Sequence, residues 1–516
     1  MGSLAVHQDL ILWSLKSQIT EDVCILQERL GHGLQNHHQR EMQASLAELT
    51  EEMRRKISCR PIHWLAGDVA QRQSWIGLGK SSECCDWAMV RDSCVRRFPI
   101  CGIIHSALFP GILNSFMSLH MHFLPGDVLV ATSKHAKRAT ESIIDQASLL
   151  VLRAFPQLSA QNLPKLRIEH LPLGIDDIWL DPLDKAVARS ILSLDPEIPV
   201  ILYLGRISRE YKADLEPLIR AMRSVKQEFP SVQLLIAGST VHAPSTSDLD
   251  RIIHEFGLGA NVRVLANFPR ALKKVLLSAA DVFISPVDNI QESFGISILE
   301  AMAAGLPVIA SDWSGYKELV SHGKTGFLVE TCIDPSVWSE ADQLAALAFP
   351  PQVEHCIAQR TVVDVNQLTE RMRNLLGNTE LRTRFGSAGQ QRVKDEFLWS
   401  KVIQNFGLLW KEQAARFKGS AVDSSTLDTR RAFEQYATSN GNGMALVRAE
   451  PEASEEYAKR FPHDPAGCAL LEMCGQSPHL LSELVKRSSP GRVYHFLKKG
   501  LLRKIVQVNG LPMRRG

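Results

Sequence analysis

The feature that most constrains the fold is an alternation of apolar runs and amphipathic stretches that begins near Pro199. The runs PVILYLGRI (199–207), VQLLIAGS (232–239), VRVLAN (262–267), DVFISPVD (281–288), PVIASD (307–312) and FLVE (327–330) are nearly continuous in apolar residues. Between them lie DLEPLIRAMRSVKQEF, SDLDRIIHEFG, RALKKVLLSAA and ISILEAMAAG, whose apolar residues recur at helical spacing. Strands that are apolar on both faces and alternate with helices predict a parallel sheet covered on both sides. A doubly wound sheet of this kind binds its ligand beyond the carboxyl ends of its strands. Attention therefore goes to the residues that directly follow each run.

The flanking segments set the organisation. From Gln8 to Lys56 the chain is rich in Leu, Glu, Gln and Arg and contains no Pro, which predicts helices over the first 57 residues. From Pro61 to Pro172 the pattern is mixed: strands are expected at 99–106, 127–133 and 166–172, and a helix at 135–155. A further helix is expected at 397–417, followed by the Ser/Thr-rich linker GSAVDSSTLDT. The expected divisions are a helical segment at 1–60, an α/β domain at 61–190, a second at 191–400, a closing helix at 401–418 and an extension at 419–516. A chain of 516 residues exceeds one compact core, which agrees with such a division.

Composition narrows the function classes. The chain is 45% apolar and 22% charged with a net charge of +2, so no global charge argues for a nucleic-acid partner. No apolar run has the length of a membrane span, and a cytoplasmic location is expected. Cys84, Cys85, Cys94 and Cys101 with His105 form the densest cysteine group, but their spacing does not suit a tetrahedral metal site. Asp248 and Asp250 in SDLD form an Asp-x-Asp, yet they fall where a helix should start and acidic residues favour its dipole. No metal and no cofactor are expected. After Glu483 there are nine Lys or Arg and no Asp or Glu, and VYHFLKKGLLRKIVQV mixes basic with apolar residues. This stretch is read as a helix packed on the body, with peripheral contact to an anionic membrane as the alternative.

The segment ESFGISILEAMAAGLPVIASD (292–312) carries the most chemistry. Glu292 falls in a strand-to-helix loop, Gly295 allows close approach of the backbone, and Glu300 lies about one turn into the helix. The amides of Phe294, Gly295 and Ile296 would open the positive end of that helix, which suits phosphate. Carboxylates on either side could accept hydrogen bonds from sugar hydroxyls. GRISREYK follows the strand PVILYL and brings Arg206 and Lys212 to the same sheet edge, where two cations could neutralise a diphosphate and stabilise it as a leaving group.

Together these residues resemble the large retaining glycosyltransferase family four of the GT-B fold (glycosyl transferases group 1). Glu292 to Glu300 matches its E-x7-E signature, GRISREYK its Gly-Arg…Lys loop, and LIAGS (235–239) and GKTGFLV (323–329) fit as well. The resemblance covers 195–415 strongly and 95–180 moderately. It implies two facing Rossmann-like domains and a nucleoside-diphosphate sugar as donor substrate. It also implies metal-independent transfer to an acceptor hydroxyl, with retention through front-face attack. The acceptor class stays open among a lipid-linked, a saccharide and a small-molecule acceptor. Glu292 would meet the transferred sugar and Glu300 the ribose. Arg206 and Lys212 would hold the diphosphate, and Gly238, Ser293, Phe294, Gly295 and Ile296 would line the donor. CGIIHS resembles the segment with the family's active-site histidine, which makes His105 a catalytic candidate beside Glu292. Leu265 to Phe268 would face the base.

The opening of the chain departs from the family, because a strand, a Gly-rich loop and a helix are expected there and helices are read instead. A sugar-nucleotide-binding or scaffold protein with a degenerate acceptor domain is therefore the non-enzymatic alternative. A phosphorolytic relative sharing the second domain is the enzymatic one.

Overall fold

Val200–Leu204 is apolar throughout, and it forms one of the two central strands of a six-stranded sheet. The computed structural model describes residues 2–21, 23–27, 50–61, 76–92, 98–106, 111–209, 211–240, 246–333, 358–416, 446–449, 479–480 and 506–509. The chain divides into two units, Met1–Ser425 and Thr426–Gly516.

In the first unit the strands β1 Val23–Gln27 and β2 Ile57–Pro61 pair in parallel. A second parallel sheet runs β3 Gly77–Lys80, β4 Ile100–Ile104, β5 Val128–Ala131 and β6 Ile168–His170, in that order. The third contains β7 Val200–Leu204, β8 Gln233–Gly238, β9 Val262–Ala266, β10 Val282–Ser285, β11 Val308–Ser311 and β12 Gly326–Val329. Its order is β9-β8-β7-β10-β11-β12, with every pairing parallel. The chain thus winds outward one way from β7 and then returns to β10 and winds the other way. The β7/β10 boundary is the switch point at which such sheets hold ligands. Every residue of β7, β10 and β11 is buried, as strands covered by helices on both faces should be.

All nine strands read from the sequence between residues 99 and 330 are present, and the expected helix at 135–155 is Lys134–Ala154. The helical reading of the first 57 residues requires correction. Gly2–Lys16 is a helix, but Val23–Gln27 and Ile57–Pro61 are strands. Short apolar runs such as VCIL satisfy both periodicities, and pairing across the chain decided between them. Glu51–Arg55 is helical, with Thr50 capping it by accepting from the Met53 amide at 3.3 Å. The strand β3 was not expected, since GLGK has no branched residue to mark it.

Two crossings join the halves of the first unit. Ile175 exchanges backbone hydrogen bonds with Phe397 (2.9 Å) and Trp399 (3.0 Å). Gly174 is required there, because a Cβ would lie 2.7 Å from the Trp399 indole. Helix Trp399–Arg416 then returns to the 76–170 sheet, where Gln413 donates to the carbonyls of Ile100 (3.0 Å) and Gly126 (2.9 Å). Arg167 grips Glu412 with two hydrogen bonds, 2.9 and 3.0 Å. Helix Gly2–Lys16 packs along this returning helix, and Ile19 sits over Gly407, whose missing Cβ leaves it room.

In the second unit Leu446–Ala449 pairs antiparallel with both His479–Leu480 and Val506–Asn509. The last strand corrects the helical reading at the end of VYHFLKKGLLRKIVQV; the rest of that basic stretch lies outside the described residues. Among the described residues no helix is long and apolar enough to cross a membrane.

Candidate functional site

The loop between β10 and helix Ile296–Ala303 occupies the switch point, and Gly295 caps that helix with φ +112°. Only glycine suits this position. The φ is left-handed, and a Cβ would lie 2.5 Å from the Tyr316 ring. Tyr316 is fully buried, and its hydroxyl lies 2.8 Å from Ser285 Oγ and donates to Glu292 Oε2 at 3.3 Å. The ring that forces a glycine at 295 therefore also holds Glu292.

Glu292 is paired with Lys212, which comes from the loop after β7. Its other oxygen accepts from the Phe294 amide at 3.3 Å. The expected cation loop and the expected carboxylate are thus brought together. In this structure the Phe294 amide serves Glu292, and the Phe294 side chain is buried. Arg206 donates to Gln291 at 3.1 Å on the same edge. Gly238 has a structural reason of its own: a Cβ there would lie 1.6 Å from the Gly205 carbonyl oxygen, so the glycine lets the ends of β7 and β8 close up.

Glu300 is 5% exposed and pairs through Oε1 with Lys273. Its Oε2 is buried with no hydrogen-bond partner among the described residues. A carboxylate left half-satisfied in this way is costly unless something else uses it. Lys273 was not anticipated from the sequence, since RALKKVLLSAA reads as an ordinary helix with solvated lysines. Its Nζ also lies 5.1 Å from the centre of the Trp179 ring. The only sequence signal for it would have been the need of a buried Glu300 for a counter-charge.

Ser293 ties this loop to the other half of the unit. Its Oγ donates to the His105 carbonyl at 2.8 Å, and Ser133 Oγ donates to the Ser293 carbonyl at 2.7 Å. Thr132 Oγ1 lies 3.3 Å from Ser293 Oγ. Ser133 also caps helix Lys134–Ala154, accepting from the Ala136 amide at 3.0 Å. A second tie runs through Glu318, which accepts from the amides of Lys134 (2.7 Å) and His135 (3.2 Å) and meets His135 Nδ1 at 2.9 Å. His170 Nε2 lies 3.7 Å from the same carboxylate.

His105 directly follows β4, with its backbone carbonyl at Ser293. Burial lowers its pKa to about 3, with smaller contributions from His7 and Lys80, so the imidazole is neutral near pH 7. Its Nε2 is buried with no partner among the described residues.

The remaining expectations fall elsewhere. Asp248 and Asp250 lie in the first turn of helix Ser247–Glu255, where Asp250 accepts from Thr246 at 2.9 Å. Cys84 and Cys101 are buried, and burial raises both thiol pKa values, that of Cys101 to about 12; Cys94 lies outside the described residues. Leu265 and Ala266 close β9, and Asn267 beyond them accepts from the Thr240 amide at 3.0 Å.

Known proteins resemble this chain in part. The sequence profile of the family described as glycosyl transferases group 1 matches residues 184–344. A D-inositol 3-phosphate glycosyltransferase of Segniliparus rotundus is 32% identical over 188 residues, covering 36% of this chain and 40% of that protein. A phosphatidyl-myo-inositol mannosyltransferase of Mycobacterium tuberculosis is 34% identical over 203 residues, covering 39% of this chain and 44% of that protein. The chain thus spans well under half the length of these curated relatives. The fold reaches further. The Anabaena protein HepE, solved with UDP-glucose, superposes with a TM-score of 0.54 at 16% identity, covering 78% of this chain and 95% of that one. A glycosyltransferase from Rickettsia africae gives 0.54 at 16% identity, covering 80% and 95%. Residues 184–344 are thus similar to the glycosyl transferases group 1 family, and the chain carries the GT-B fold of these solved glycosyltransferases.

Proposed function

We propose that the chain is a glycosyltransferase that moves a sugar from a nucleoside-diphosphate donor to an acceptor hydroxyl, with retention and without a metal. The observation that carries this reading is the Lys212–Glu292 pair beside the helix that begins at Ile296, with Ser293 bonded to the His105 carbonyl. Each part has a use when a donor binds. The diphosphate takes Lys212 away from Glu292 and Arg206 away from Gln291, and the released Glu292 accepts from the sugar hydroxyls. The helix N-terminus behind Gly295 adds its partial positive charge to the leaving phosphate. Glu300 offers its unpartnered Oε2 to the ribose, while Lys273 stays on its other oxygen. His105 stays neutral at the sugar end and serves as a hydrogen-bonding group rather than a cation.

The names of the relatives support this reading, since they are a glycosyltransferase and a mannosyltransferase, and the family profile matches residues 184–344, across the donor half. HepE, on the same fold, was solved with UDP-glucose. The acceptor is an unidentified hydroxyl compound. The test is release of nucleoside diphosphate from UDP-glucose, GDP-mannose and ADP-glucose, with the anomer of the released sugar read by proton NMR. The α-anomer appearing first from one of these α-linked donors, and loss of release in Glu292→Gln, is the expected result. Release of the β-anomer would overturn retention. Saturable nucleotide binding with no release from any donor would favour a binding protein.

A further inference from the structure

Helix Gly2–Lys16 stands where the family resemblance predicts a strand and a Gly-rich loop ahead of any helix, and it brings two polar residues to the site. Val6 and Leu10 are buried in the same core as Cys101 and Ile103 of β4 and Trp399 of the returning helix. On one side, the His7 imidazole lies against His105, with ring centres 5.0 Å apart and planes inclined by 55°. On another, Asp9 sits in the field of Asp176, Arg270 and Glu300, near the Trp399 indole. Residues two apart on a helix point about 200° away from each other, so a single helix can address both walls in this way.

His105 needs such a neighbour. An imidazole whose nitrogen lacks a hydrogen bond keeps one orientation only where neighbouring side chains hold its ring. Among the described residues no hydrogen bond fixes Nε2; the ring of His7 is packed against that of His105, and Lys80 adds its charge nearby. We propose that helix Gly2–Lys16 forms a working wall of the site, and that His7 on it is the positioning residue that holds the ring of His105 in one orientation. The consequence for sugar transfer rests on the glycosyltransferase reading above; the effect on His105 does not.

The full chain is labelled at the histidine ring carbons and nitrogens, with the His105 signal identified by its loss in His105→Gln. The wild type should show one sharp set of His105 ring signals from pH 7 to pH 5. In His7→Ala those signals should move and broaden as the ring reorients. His7→Phe keeps a ring in contact and should restore the single sharp set, and it reports even where the alanine variant is unstable. With UDP-glucose or whichever donor the wild type cleaves, His7→Ala should lose on the order of tenfold in kcat, with KM within about twofold. A His105 signal unchanged in both variants would overturn the proposal, whatever the melting temperature does. Should the wild type cleave no nucleotide sugar while His105 still responds to His7, the positioning role stands and the transferase reading falls.

Discussion

Replacing Gly295 with alanine tests the geometry of the loop, because two separate costs can be worked out for it. The backbone there has φ +112°, which an L-residue adopts at a cost of about 1–2 kcal/mol. The new Cβ would also lie 2.5 and 2.7 Å from Tyr316 Cε1 and Cδ1, on a ring that is fully buried and bonded to Ser285 and Glu292. Overpacking of this kind costs about 1–3 kcal/mol more. Gly257 and Gly323 supply the control: their φ values are +66° and +74°, and a Cβ at either meets nothing within 4 Å. Gly257→Ala and Gly323→Ala should therefore cost about 1–2 kcal/mol, and Gly295→Ala about 2–5 kcal/mol. Urea unfolding followed by tryptophan fluorescence, with equal slopes required, measures the difference. Nucleotide affinity should fall in Gly295→Ala alone, since the displaced tyrosine holds Glu292. Equal losses in all three variants would refute the argument, because they would leave the Tyr316 contact without effect.

Three further outcomes follow from the same contacts. Lys273→Met leaves Glu300 buried with neither oxygen paired and should cost about 1–3 kcal/mol in urea unfolding, most of it recovered when Glu300→Gln is added; no recovery in the double variant would argue against the pair. Glu318→Gln weakens the bonds to Lys134 and His135, so amide exchange at the start of helix Lys134–Ala154 should speed up about tenfold, for a loss of about 1.4 kcal/mol; unchanged exchange would mean that the carboxylate charge adds nothing there. Asp288 has its pKa raised from the usual carboxyl range to about 7, chiefly by burial. A carboxyl that holds its proton more tightly when folded stabilises the fold at low pH and loses that contribution as pH rises toward 7. The melting temperature of the wild type should accordingly fall relative to Asp288→Asn between pH 5 and pH 8, and parallel curves would contradict the assignment.

The second domain was legible in the sequence because its strands are buried on both faces. VILYL, VFIS and VIAS have no polar residue on which a helical period could be built, apart from a terminal serine. The residues at the switch point were legible for a related reason: a strand, a short loop and a helix start leave little freedom over where Glu292, Gly295 and Glu300 fall. What escaped depended on contacts across the chain. VCILQ became a strand by pairing with ISCRP more than thirty residues later, which no local period announces. Lys273 is indistinguishable from Lys274 by spacing, and only the fold places it on Glu300. His7 looked like one polar residue among many on a helix until its ring was found against His105.

The most direct test of the central claim is thermal-shift binding of UDP, GDP, ADP and TDP to the wild type and to Arg206→Ala. One nucleotide should raise the melting temperature of the wild type, and that rise should be lost in the variant, whose unliganded melting temperature stays close to wild type. No shift with any nucleotide, or an equal shift in both proteins, would contradict a donor site at Arg206, Lys212, Glu292 and Glu300.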